Sequence, residues 1–114
     1  MKKFLVLYKC PIAVVDDWKA KPVEETQPVE AKMQTEWKEW MMAHGASVKE
    51  TAGAGKTKSV NTTGVSDIKN DIMLYSIVEA ESHDSAANLF VGHPHLGIPE
   101  ATIEIMEINP MSGM

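Results

Sequence analysis

Asp71-Ile72-Met73-Leu74-Tyr75-Ser76-Ile77-Val78-Glu79-Ala80 reads as a β-strand, rich in Ile, Leu, Val and Tyr and free of Gly and Pro. Alternate residues of a strand point to opposite faces of its sheet, and here both sets are apolar: Ile72, Leu74 and Val78 on one side, Met73, Tyr75 and Ile77 on the other. Phe4-Leu5-Val6-Leu7-Tyr8 repeats the pattern near the start of the chain. An antiparallel sheet with one face in water carries polar residues at every second position, so these two strands require cover on both faces.

Outward from these strands the chain divides readily. Residues 3 to 9 form the first strand, which Pro11 ends, and Pro11 to Gln27 reads as a loop with at most one helical turn near Asp16-Asp17-Trp18. From Pro28 to His44 the apolar residues Val29, Met33, Trp37, Trp40 and Met41 recur at helical spacing. Pro28 falls in the first turn and Gly45 just past the last. Ala46 to Thr51 is a short strand. A glycine-rich loop runs through Gly55, a weaker extended piece covers Lys58 to Thr62, and Gly64 to Asn70 is polar and expected to be mobile. Ser82 caps a second helix with its body at His83 to Val91, stopped by Gly92 and Pro94, and Ala101 to Ile108 is the last strand. There is no repeat and no linker long enough to divide the chain, so 1-114 is expected to be one domain.

The order strand, helix, strand, strand, helix, strand is that of an α+β, ferredoxin-like split βαβ fold: a four-stranded antiparallel sheet with both helices on one face. Two helices cover one face only. The economical cover for the other is the same face of a second copy, which makes a two-fold homodimer. The alternative is a monomer with its long loop folded under the sheet.

Charge narrows the partners. Sixteen acidic residues face eleven basic ones, all lysines, for a net charge of -5. A polyanion-binding surface is therefore not expected, nor is any guanidinium grip on a carboxylate or phosphate, and nucleic acid is excluded as a partner. No apolar run has membrane-spanning length. The opening Met1-Lys2-Lys3 with its short apolar run is too brief for a secretory signal, and Cys10 has no second cysteine to pair with. A cytoplasmic location follows as the expectation, with Cys10 a small buried hydrophobe rather than a nucleophile.

Three constellations invite a functional reading. Gly53-Ala54-Gly55-Lys56-Thr57 resembles the end of a phosphate-cradling loop. Glu50 stands where that loop needs its first glycine, and an extended chain follows instead of a helix, so a turn joining two strands explains it better. Gly92-His93-Pro94-His95-Leu96 carries the densest chemistry: two imidazoles, two residues apart, after a helix C-terminus. No cysteine motif or further spaced ligand accompanies them, and His44 and His83 are the only other imidazoles, so no metal and no cofactor are expected. Trp37, Trp40, Met33 and Met41 read as core, and Tyr75 needs a partner for its hydroxyl if buried.

Taken together, Lys3-Phe4-Leu5-Val6-Leu7-Tyr8, the tryptophan-bearing helix ending at Gly45, Gly53-Ala54-Gly55-Lys56, Tyr75-Ser76-Ile77, Ala80-Glu81-Ser82, Gly92-His93-Pro94-His95-Leu96 and Ile103-Glu104-Ile105 with Pro110-Met111 resemble the YCII-related family. The resemblance implies a dimeric α+β barrel of ferredoxin-like subunits. It also implies, in some members, an active site pairing a histidine near the start of the first helix with an aspartate before a proline after the second. This chain departs at both places: its helix opens Val29-Glu30-Ala31-Lys32, and His93 precedes Pro94. The expectation is a homodimer that binds a small organic molecule near the His-Pro-His segment, with Tyr75, His93, His95 and His44 lining the site. The alternative is a cofactor-free isomerase, lyase or hydrolase using His93 or His95 as candidate catalytic groups for proton transfer.

Overall fold

A computed structural model describes residues 1–111. The strands are β1 (Lys2–Lys9), β2 (Val48–Gly53), β3 (Thr57–Asn61), β4 (Gly64–Ile68), β5 (Ile72–Ala80) and β6 (Thr102–Glu107). The helices are α1 (Ile12–Ala20), α2 (Val23–His44) and α3 (His83–Asn88). The main sheet has the order β2-β5-β1-β6, all pairs antiparallel, and β3 and β4 pair separately as a hairpin. With the hairpin set aside, this is the split βαβ topology.

Side-chain alternation sets the two faces. Phe4, Val6 and Tyr8 of β1 and Ser76, Val78 and Ala80 of β5 are buried under the helices, where Trp40 of α2 and Ala86 and Phe90 of the α3 region close the core. Opposite them lie Leu5 and Leu7, which pair with Ile77 and Tyr75 on β5 and with Met106 and Glu104 on β6. Among the described residues no helix packs over that second face. The molecule measures 53 × 45 × 19 Å, and 19 Å is the depth of one sheet and one helix layer.

Several of the expected elements are corrected. Pro11 to Gln27 is not a loop: it holds α1 and the first five residues of α2. Pro11 and Pro22 stand immediately before the first helical residue of each, where a proline's fixed φ and missing N–H cost nothing, and Glu24 and Glu25 favour the positive end of the α2 dipole. Pro28, expected at the helix start, is inside α2 near its N-terminus and removes only one backbone hydrogen bond there. Trp18 ties the two helices together by donating its Nε1–H to Glu30 at 2.9 Å. Gly64 to Asn70, expected as a mobile loop, contains β4, for which Gly64 at φ +130° makes the turn after β3.

The second helix is shorter than expected, ending at Asn88, and Gly92 at φ +76° then reverses the chain toward His93. Ser82 caps α3, its Oγ accepting from the Ser85 N–H at 3.1 Å. No helix among the described residues is long and apolar enough to cross a membrane.

Candidate functional site

The His-Pro-His segment is folded into the core. After Gly92, His93 is extended and Pro94 starts a 3₁₀ turn through Gly97. That turn sends both imidazoles under the helices, each 1% exposed. His93 sits in a box of Tyr8, Trp37, Trp40 and Phe90, with ring centroids 5.5, 4.4, 4.6 and 5.7 Å away. Its Nδ1 accepts the backbone N–H of His95 at 3.0 Å. Burial, reinforced by the neighbouring His95 and His44, lowers its pKa to about 4, so the ring is neutral at pH 7. A neutral ring that accepts at Nδ1 carries its proton on Nε2, and that buried N–H has no partner among the described residues.

His95 is satisfied instead. Its Nε2–H donates to the Lys9 carbonyl at 2.9 Å and its ring meets Tyr8 edge-on at 5.6 Å. Burial lowers its pKa, against an upward pull from the backbone of Lys9 and Thr102. Neither ring contacts a carboxylate among the described residues.

Both histidines have folded pKa values below the unfolded value of about 6.5, so the unfolded chain binds more protons between that pH and pH 4. Stability is therefore intact above about pH 6.5 and lost as the pH falls toward 4. We expect a melting temperature lower by roughly 5–10 °C at pH 4.5 than at pH 7. The His93→Gln variant should show a shallower dependence in the same buffers, and an equal slope in both proteins would contradict this assignment.

The four candidate residues do not share one site. His44, half-buried at the end of α2 with its ring 4.9 Å from Trp40, lies on the helix side with His93 and His95. Tyr75 pairs with Leu7 and therefore points from the uncovered face, where its hydroxyl donates to Glu50 and that bond raises its pKa. It faces away from the histidines. His83 stacks on Phe4 at 5.4 Å and bonds the Ile105 carbonyl at 2.8 Å, a structural position.

One polar feature went unread in the sequence. Tyr8 Oη, Ser76 Oγ and Thr51 Oγ1 form a chain of hydroxyl hydrogen bonds of 2.8 and 2.7 Å across three strands beneath the histidines. A serine inside the apolar run of β5 was its one available signal.

Two open clefts border these elements. One of about 340 Å³ is lined by Glu30, Met33, Gln34 and Trp37 of α2, so Trp37 stands between it and His93. A larger one, of about 1040 Å³, separates α1 from the base of the β3–β4 hairpin; Cys10, Ile12 and Met73 are among its lining residues. The Gly53-Ala54-Gly55-Lys56-Thr57 segment spans the turn between β2 and β3 at its rim. Burial raises the Cys10 thiol's pKa, with the charge of Glu100 adding to it, which keeps the thiol protonated. Among the described residues no group of three or more His, Cys, Asp or Glu gathers as a metal site.

No family model matches the chain, and no curated protein matches it. Among solved structures, the 5-chloro-2-hydroxyhydroquinone dehydrochlorinase from Burkholderia phenoliruptrix AC1100, in complex with 2,5-dihydroxybenzoquinone, is similar over 91% of each chain, with 12% identity and a TM-score of 0.49.

Proposed function

We propose that the chain is a single YCII-related domain spanning 1-114, working in the cytoplasm as a homodimer that binds a small organic molecule beside the His-Pro-His segment, with no cofactor. The last three residues of that span lie outside the described ones. The observation that carries the binding reading is the Nε2–H of His93, which has no partner among the described residues. A buried donor without an acceptor costs about 1–3 kcal/mol, and native cores leave few of them. The cleft beyond Trp37 is where an acceptor could come from. A flat apolar ligand bearing a carbonyl or carboxylate oxygen, wedged between Met33 and Trp37, would satisfy the ring as Trp37 turns aside. The enzymatic alternative has less support, because a histidine with a pKa of about 4 is a poor proton donor at neutral pH and no carboxylate orients either ring.

The homodimer draws its support from the uncovered face. Leu5, Leu7, Met73, Tyr75, Ile77 and Met106 form a continuous apolar stripe there, bordered by Lys9, Glu50 and Glu104. A two-fold axis through the stripe would lay it against itself.

The binding reading is tested by nuclear magnetic resonance titration with a panel of aromatic ketones and carboxylates, each paired with a hydrocarbon of the same shape, such as acetophenone with ethylbenzene. Acceptor-bearing members are expected to shift the Trp37 indole and His93 ring signals at millimolar concentration, and His93→Phe should abolish the distinction within each pair. Equal responses to ketone and hydrocarbon, or no movement of Trp37 with any member, would contradict it.

A further inference from the structure

We infer that the β3–β4 hairpin is an arm that closes on a second copy of this chain, an inference that rests on the homodimer proposed above. The hairpin forms a sheet of its own and shares no strand pairing with the main one. The molecule is extended: the radius of gyration is 16.2 Å, against about 13 Å for a compact chain of this length. A two-stranded ribbon standing alone is at best marginally stable in water, so a built, regular one needs a surface to lie on.

Its own residues indicate which side lies down. The register pairs Lys58 with Asp67 and Val60 with Val65, which puts these four on one face, while Thr57, Ser59, Ser66 and Ile68 share the other. On the first face Lys58 and Asp67 neutralise each other in an ion pair of 2.6 Å. Beyond them toward the tip, Val60 and Val65 are 76% and 65% exposed. A ribbon face with an apolar pair and no net charge suits contact with protein rather than with water or a polyanion. At the tip, the Asn61 carboxamide accepts from the Thr63 N–H at 2.8 Å and holds the turn in one conformation.

The occupant follows from area. The uncovered face of the main sheet is about 19 Å across its four strands and about 20 Å along them, roughly 400 Å² in outline. A stable pair of proteins buries about 800 Å² per partner. Each arm, about 10 Å wide and 17 Å long, contributes about 170 Å² and covers an equal area of the partner. Two arms thus supply most of the shortfall that sheet-to-sheet contact leaves. A second copy seated on the stripe is the occupant that this area accounts for.

Sedimentation equilibrium over a dilution series of the full chain tests this, with V60D/V65D as the disruptive variant. V60T/V65T, which keeps the β-branched shape while adding hydroxyls, serves as the mild one. Circular dichroism confirms the fold of each. The expected result is a dimeric wild type, a dissociation constant raised at least tenfold in V60D/V65D, and a smaller rise in V60T/V65T. If V60D/V65D does not fold, a raised dissociation constant in V60T/V65T supports the arm and a wild-type constant overturns it. A dimeric wild type whose folded variants associate equally well overturns the arm and leaves the sheet-to-sheet dimer standing. A monomeric wild type overturns both.

Discussion

His95→Ala is expected to lower the unfolding free energy by about 3 kcal/mol, within the range for emptying a large buried side chain. The substitution removes a ring packed on Tyr8 and the hydrogen bond that His95 Nε2 donates to the Lys9 carbonyl. For a chain of this size such a loss corresponds to a melting temperature lower by roughly 12–20 °C. His95→Gln, which can still reach the carbonyl with an N–H, should recover part of it. His93 behaves differently. Its Nε2–H has no partner among the described residues, but its Nδ1 accepts the His95 N–H, so His93→Phe, which puts a ring of similar bulk in the aromatic box, removes one unpaired donor and leaves another; the two effects should offset to within about 1 kcal/mol. Urea unfolding with an unchanged m value measures both. The opposite ranking, with His93→Phe the more damaging, would contradict the tautomer assigned to His93. A stable His93→Phe that no longer distinguishes ketone from hydrocarbon would mark His93 as kept for binding rather than for stability.

L7E/I77E should convert the protein to a folded monomer. Leu7 and Ile77 lie on the uncovered face, on the adjacent strands β1 and β5, and a two-fold pairing brings both copies of each together. Four carboxylates would then be enclosed in an apolar interface without cationic partners, a burial that association does not survive. In a single copy the same side chains meet water, so the fold is retained. Sedimentation velocity should show the dimer at micromolar concentration for the wild type and none for the variant, a loss of at least a thousandfold in affinity. Identical sedimentation of the two would place the interface elsewhere.

Much of the architecture was legible because it depends on local pattern. The two-sided apolar strands, the Ser82 cap and the Gly92 reversal are each written in a few adjacent residues, and each is present where the pattern puts it. Pro11 misled because it reads as a breaker and Pro28 because it reads as a helix start, whereas Pro11 and Pro22 precede helices and Pro28 lies inside one, near its N-terminus. The hairpin went half unread because β4 faces no core and so lacks the apolar alternation by which strands are recognised. The fate of the two histidines was not readable at all. Their burial depends on Tyr8, Trp37 and Trp40, residues far away in sequence, and a polar segment after a helix reads as a surface loop until those partners are placed. Tyr75 was within reach, since its parity in β5 sets it opposite Ser76 and Val78 and hence away from the helix side.

Pairing through the uncovered sheet face is the claim on which the arm depends, and the mass of the unmodified chain in solution tests it most directly. Sedimentation equilibrium at micromolar concentration is predicted to give twice the 12.6 kDa of one chain. A single species of 12.6 kDa, unchanged as the concentration rises, would contradict it.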